Sequence, residues 1–287
     1  LPIQPFQCGR FVLSFERPLV MGILNVTPDS FSDGGRFATR DAALAQAAQM
    51  LSDGADIIDI GGESTRPGAE PVPLDEELQR VIPIVEALRA ENVPLSVDTY
   101  KPAVMRAALD AGADMINDVW GLRQEGALDA VRDSQCGLCV MHMLGEPRTM
   151  QLHEPVYDDV VAEVRAFFEE RVASLTQAGI AANRICLDPG FGFGKSVIDH
   201  NYALLAGLAD TLPPGTHFPL LAGMSRKSML TKVTGRKKAT DRVAVSVAAA
   251  VCAAQRGAAI VRVHDVGATA DALKVWAATQ RAGKHTQ

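Results

Sequence analysis

One hexapeptide motif occurs three times along this chain. Gly54-Ala55-Asp56-Ile57-Ile58-Asp59 returns as Gly112-Ala113-Asp114-Met115-Ile116-Asn117 and, more loosely, as Gly257-Ala258-Ala259-Ile260-Val261-Arg262. In each copy a glycine suited to ending a helix precedes a short apolar run, and a polar residue closes the run. The run is too apolar to leave a face in water, so it reads as a strand buried on both sides. Strands of that kind are parallel and are joined by helices. The repeat therefore describes a strand–helix unit, and it constrains the fold more than any other feature.

The same alternation continues between the copies. Strands are expected at Leu19–Leu24, Asp56–Ile60, Pro94–Val97, Asp114–Asn117, Gly137–Met141, Arg184–Leu187, Pro219–Ala222 and Ala259–Val263. Helices are expected near Asp41–Ser52, Asp75–Ala90, Pro102–Ala111, Glu125–Asp133, Asp158–Ala178, Asn201–Thr211, Asp241–Gln255 and Ala270–Arg281. Pro102 suits a first helical turn. Gly54, Gly112, Gly179 and Gly257 stand where a helix end needs positive φ. In front of the first unit, Phe6–Phe15 places Cys8-Gly9 between two short apolar segments, a hairpin within residues 1–16. Eight strand–helix units predict an α/β fold, a closed (β/α)8 TIM barrel forming a single domain over residues 1–287. The rival is an open doubly wound sheet, which usually leans on one glycine fingerprint. Here polar residues are spread over every strand end.

Composition narrows the partners. A net charge of −6 speaks against a nucleic-acid or anionic-membrane surface, while a small anionic ligand answers to local charge only. The longest apolar stretch, Val243–Ala254, is too short to span a bilayer and is bracketed by Arg242 and Arg256. Because it is apolar nearly all round, it is expected to be deeply buried or to meet a second subunit. The start of the chain lacks a basic region followed by an apolar one, so no signal peptide is expected. The five cysteines, Cys8, Cys136, Cys139, Cys186 and Cys252, are scattered and odd in number. Cys136 and Cys139 form a lone C-x-x-C without a second pair at zinc spacing, so reduced core thiols and a cytoplasmic protein are expected.

In a barrel of this type the chemistry sits at the carboxyl ends of the strands. Those ends carry Asn25, Asp59 with Glu63, Asp98, Asn117, His142 with Met143, Asp188, Ser225–Ser228, and Arg262 with His264. Any one of them could be a capping residue; a ring of eight is much harder to obtain that way. Asp98, Asn117 and Asp188 are acceptors, or donor–acceptor amides, with no cation nearby in sequence, and they suit the edge of a guanidine-like heterocycle. The stretch Cys186–Lys195 adds aromatic faces between glycines. It is not a P-loop, because Pro189 falls where the first glycine should be. Ser225-Arg226-Lys227-Ser228 and Arg262-Val263-His264 gather cations instead. With Asn25 and the hydroxyl of Thr65 they suit a pyrophosphate, together with a hard cation such as Mg²⁺. Thr27–Thr39 and Glu63–Pro73 are long for strand-to-helix loops and would serve as lids that exclude water.

These segments together resemble dihydropteroate synthase, the pterin-binding barrel enzyme of folate biosynthesis. The resemblance rests on Leu24–Gly35, Gly61–Gly68, Ser96–Thr99, Ile116–Asp118, Met141–Met143, Asp188–Lys195, Ser225–Ser228 and Arg262–Val266, and so covers nearly the whole chain. The family joins 4-aminobenzoate to 6-hydroxymethyl-7,8-dihydropterin diphosphate and releases pyrophosphate; it is a sulfonamide target. The resemblance implies that Asp98, Asn117, Asp188 and Lys227 bind the pterin, with Met143, Phe193 and Gly223 lining its pocket. It implies that Asn25, Thr65, Arg262 and His264 hold the pyrophosphate, with Mg²⁺ at Asn25. Arg66, Pro67 and Ser228, with Phe31 and Asp33 of the first loop, would form the 4-aminobenzoate site. Asp98, Lys227, Arg262 and His264 would do the catalytic work in a dissociative substitution. A homodimer through the last helices is also implied. The departure is Leu144, where the family usually has glutamine; its expected effect is on pocket packing.

Two other functions share parts of this pattern. A methyltetrahydrofolate–corrinoid methyltransferase shares the pterin acceptors but has no need for the pyrophosphate cations or the first loop. A non-catalytic pterin-binding paralogue predicts damage around Asn25 or Lys227, and the sequence is intact there.

Overall fold

The computed structural model describes residues 3–26, 36–63, 70–145 and 155–284. The hairpin is present: β1 (Phe6–Cys8) and β2 (Phe11–Leu13) pair antiparallel. After it come β3 (Leu19–Asn25), α1 (Arg36–Ser52), β4 (Ile57–Gly61), α2 (Leu74–Leu88), β5 (Leu95–Asp98), α3 (Pro102–Ala111), β6 (Met115–Asp118) and α4 (Ala127–Val131). The chain continues through β7 (Gly137–Met141), α5 (Val160–Gln177), β8 (Ile185–Asp188), α6 (Asp199–Ala206), β9 (Leu220–Ala222), α7 (Ser228–Thr234), α8 (Val243–Gln255), β10 (Ala258–Val263) and α9 (Val266–Lys284). All eight strands from β3 to β10 are parallel, and β10 bonds to both β3 and β9, so the sheet closes into a barrel.

Strand alternation sorts the side chains into two regions. Val20, Ile58, Ile60, Leu95, Val97, Ile116, Leu138, Leu187 and Val261 are buried with the helices around the barrel. Met21, Ile57, Met115, Cys139, Cys186, Leu221 and Ile260 belong to a second buried cluster, which also takes in Phe6 and Cys8 of β1. The hairpin thus closes the amino end of the barrel. Arg10 fixes it there, donating from its backbone N and Nε to Asp114 Oδ1 at 3.0 Å each and from Nη2 to Oδ2 at 2.9 Å. Gly9 turns the chain at φ +57°, and a Cβ there would meet Asp114 Oδ1 at 2.5 Å, so both the turn and the close approach require glycine.

Several boundaries differ from the sequence reading. Helix α1 starts at Arg36, so Thr27–Thr39 is a shorter loop than expected; Asp41 is an interior helix residue, preceded by helix-tolerant Arg36 and Ala38. The seven-residue α7 was missed, because periodicity has little to work on over two turns. Asp98, Asp188 and Asn25 lie within their strands, not beyond them. The helix stops hold: Gly54, Gly112, Gly179 and Gly257 have φ of +95°, +108°, +89° and +95°. Helix α8 buries Ser246, Ala249, Ala250, Ala253 and Ala254, but Ala244 and Ala248 are exposed, so it is not enclosed all round. Cys136 and Cys139 join different buried clusters, consistent with their odd separation at a strand, and all five cysteines are free thiols. No helix among the described residues is long and apolar enough to cross a membrane.

Candidate active site

The next layer of the barrel, toward the carboxyl ends, is polar. Register places Asp59 beside Ser96, Gly61 beside Asp98, Asp98 beside Asn117, and Met141 beside Asp188. Arg262 crosses to this ring from β10. Its Nε donates to Asp59 Oδ2 at 2.6 Å and its Nη2 to Asp98 Oδ2 at 2.7 Å. Asp98, which sequence left without a cation, therefore has one that arrives from the far end of the chain. The pairing is incomplete, since Asp98 Oδ1 is buried without a partner among the described residues. Burial pushes the Asp98 carboxyl up to about 7. Arg262 opposes that shift, and the charges of Asp59, Glu77 and Asp118 add to it. Burial also works against the Arg262 charge, but Asp59 and Asp98 outweigh it and raise the guanidinium pKa.

Asp188 ends β8 and is buried. Its Oδ1 accepts the Gly190 N–H at 2.7 Å, and its backbone oxygen accepts from His142 N. Burial raises its pKa, against the pull of Lys227, Gly190 N–H, Lys195 and Arg262. The glycine loop after it is tight. A Cβ on Gly190 (φ +70°) would lie 2.0 Å from His142 O, so no other residue fits there. The two phenylalanines of the loop separate: Phe191 is in the core, and Phe193 joins a cluster with Met143, Met141, Val119, Tyr100 and Trp120. Lys227 lies over the Phe193 ring, 4.7 Å from its centroid, and donates to Phe191 O at 2.6 Å. Burial lowers its pKa to about 8, although Asp188 and Asp98 hold the charge and Arg262 repels it. Lys195 is buried as well. Its Nζ donates to His142 Nδ1 at 2.9 Å and to Phe193 O at 3.0 Å, and burial lowers its pKa to about 7.

On the other side, Gly223 follows β9, and a Cβ there would come within 3.7 Å of Arg262 Cβ and 4.0 Å of Lys227 Nζ. His264 follows β10; its backbone N donates to Ser225 Oγ, and its Nδ1 lies 3.0 Å from that hydroxyl. Ser228 is exposed at the start of α7. Asn25 ends β3 beside Gly61 of β4. Among the described residues no three His, Cys, Asp or Glu side chains come together as a cation site. A hard cation at Asn25 would have one neutral side-chain oxygen from that residue and would draw further ligands from an anionic substrate and water, which fits Mg²⁺. Thr65, Arg66, Pro67, Phe31 and Asp33 lie outside the described residues, as do the middle of the second lid and most of the first.

The structure thus gathers Asn25, Asp98, Asn117, Met143, Asp188, Phe193, Gly223, Lys227, Arg262 and His264 at one end of the barrel. Sequence reasoning placed Asp59 in the ring but gave it no partner; it passed over Val119, and it named Met141, Ser225 and Lys195 only inside motifs, without a role of their own. The signal for two of them was period-two alternation carried to the strand end: Val119 shares a face with Asn117, and Met141 with Met143.

Comparison with known proteins gives the chemistry a family. A model described as pterin binding enzyme matches residues 21–264. The dihydropteroate synthase of Neisseria meningitidis serogroup B is 51% identical over 278 residues, 95% of this chain and 96% of that protein. The crystal structure of Burkholderia cenocepacia dihydropteroate synthase complexed with 7,8-dihydropteroate is 66% identical, with a TM-score of 0.92 over 99% of both chains. The Xanthomonas albilineans dihydropteroate synthase with 4-aminobenzoic acid is 54% identical, with a TM-score of 0.90 over 97% of this chain and 98% of that one.

Proposed function

This chain belongs to the pterin-binding enzyme family and works as a dihydropteroate synthase, and on that premise we propose how its strand ends divide the reaction. The activity joins 4-aminobenzoate to 6-hydroxymethyl-7,8-dihydropterin diphosphate to give 7,8-dihydropteroate and pyrophosphate. The observation that carries the division is one inward layer of acceptors, Asp98, Asn117 and Asp188, set beside Met143 and Phe193 and crossed by Arg262. Asp98 Oδ1, without a partner among the described residues, and the second oxygen of Asp188 take N–H donors of the pterin, and Phe193 and Met143 cover its faces. Lys227 and Gly223 border the same ring.

Arg262, His264, Thr65 and Asn25 take the diphosphate. Asn25 would hold Mg²⁺, which supplies charge neutralisation to the leaving group. Arg66, Pro67 and Ser228, with Phe31 and Asp33, receive 4-aminobenzoate. The amine is neutral at pH 7 and already nucleophilic, so the barrier lies in breaking the methylene–oxygen bond. Asp98 stabilises the cation that develops on the pterin, and Arg262 and His264 take the departing charge. Amine attack follows cleavage.

Turnover of both substrates, with one pyrophosphate released per dihydropteroate, is the expected assay result. Pterin binding without turnover would leave a binding module, and methyl transfer to a corrinoid would make the chain a methyltransferase. A bridging-oxygen isotope that scrambles in the diphosphate without 4-aminobenzoate supports the dissociative order; retention of the label overturns it. The homodimer is a further proposal, supported by exposed apolar residues on three helices that pack in succession, Val233 on α7, Ala244 and Ala248 on α8, and Val275 on α9. Sedimentation equilibrium at monomer mass would overturn it.

A further inference from the structure

Asp59 is fully buried, with 0% exposure, so a ligand in the barrel mouth does not touch it. It nevertheless holds three side chains of the polar ring. Its Oδ1 accepts from Ser96 Oγ at 2.6 Å, and its Oδ2 accepts from Arg262 Nε at 2.6 Å and from Asn117 Nδ2 at 3.2 Å. An asparagine amide has two orientations of nearly equal shape, and what lies behind it decides between them. Behind Asn117 lies a carboxylate, which in its ionised form only accepts. The amide NH2 therefore turns to Asp59, and the amide oxygen is left for the pocket. The same carboxylate fixes the Arg262 guanidinium through Nε, so that Nη2 meets Asp98, while Nη1 makes no hydrogen bond among the described residues.

We propose that Asp59 is a positioning residue for the condensation: it makes Asn117 an acceptor toward the pterin N–H edge and holds Arg262 in place for the diphosphate. The inference rests on the reading of Asn117 as a pterin contact and Arg262 as a diphosphate contact. Its two effects separate chemically. Orientation of Asn117 needs an acceptor at the Oδ2 position and no charge, whereas the hold on Arg262 needs the charge. Asp59→Asn keeps a carbonyl oxygen at that position when its own NH2 donates to Ser96 Oγ, a hydroxyl that accepts as readily as it donates. Asp59→Ala removes both functions.

The test measures affinity for the free pterin alcohol and for pyrophosphate by calorimetry, with kcat and KM, in D59A and D59N, and in N117A and R262A as controls. D59A is expected to weaken both ligands by about tenfold or more, since each loses the support of a buried hydrogen bond. D59N is expected to recover the pterin alcohol to within about threefold of the native protein, yet to keep a weakened pyrophosphate site and a lowered kcat. If D59N shows no such split, with both ligands native or both weakened by the same factor, Asp59 is structural and the inference fails; because D59N keeps the acceptor, this holds even where D59A does not fold. If N117A leaves the pterin alcohol unchanged, or R262A leaves pyrophosphate unchanged, the site reading fails and the inference falls with it. If both controls weaken and D59A does not, only the inference falls.

Discussion

The two ends of the barrel each hold an arginine on a buried aspartate, and they are wired differently. At the amino end, Asp114 accepts from Arg10 N, Nε and Nη2 and also from Leu95 N, so both carboxylate oxygens are engaged. At the carboxyl end, Arg262 divides its fork between Asp59 and Asp98, and Asp98 Oδ1 stays without a partner among the described residues. A satisfied pair locks a plug in place; a divided pair leaves an acceptor waiting in a low-dielectric site. The apolar layer between them, Met21, Ile57, Met115, Cys139, Cys186, Leu221 and Ile260, keeps the two apart. The barrel thus separates what holds it together from what it does, and the incomplete end is the one that works.

The most direct way to break this comparison is to remove the divided arginine. Arg262→Ala is expected to lower kcat/KM by about a thousandfold, about 4 kcal/mol, the scale for losing one member of a buried charged pair. Near-native turnover would mean that the two ends do not differ in role. Next in size is the satisfied end. Asp114→Ala strips the acceptor from Leu95 N and frees the Arg10 fork, which is expected to cost about 2–3 kcal/mol of stability in denaturant unfolding. Its kcat and KM should stay native at a temperature where the fold is intact. A kinetic defect without a stability loss would invert the comparison.

The smallest expected effect sharpens the comparison through pH. Asp98 must be ionised to act, and burial raises its carboxyl to about 7, so kcat/KM for the pterin diphosphate should fall about tenfold per unit below that pH. Lys227 must be charged, and burial lowers it to about 8, so a second fall is expected above that pH. The profile is therefore a narrow bell. Lys227→Arg should remove the alkaline limb, because guanidinium keeps its proton. A flat profile between pH 6 and 9, on the order of the range these groups span, would show that neither group titrates in the free enzyme.

Much of this was legible in the chain itself. The repeated Gly-Ala-Asp hexapeptide marked helix stops and buried strands, and the helix-stop glycines do take positive φ. Because a parallel strand buried on both faces is mostly apolar along its length, a polar residue toward its carboxyl end stands out, and Asp98, Asn117, Asp188 and Arg262 were identified that way. The short elements were less legible. Seven residues of α7 hold too little periodicity to be told from a turn.

Partnership was decided by the tertiary structure alone. Arg262 lies 203 residues from Asp59 and 164 from Asp98, and no local pattern links them. Strand order in a closed barrel brings β10 beside β3, and only then does the guanidinium reach across the ring. Likewise Phe191 and Phe193 are equivalent in sequence, yet the turn at Gly190 and Gly192 sends one into the core and the other to the pocket. Sequence determined which residues end each strand, because burial of a strand is a local demand. Closure of the barrel determined which of those ends face one another, and that choice sets both the charge of Asp98 and the direction of the Asn117 amide.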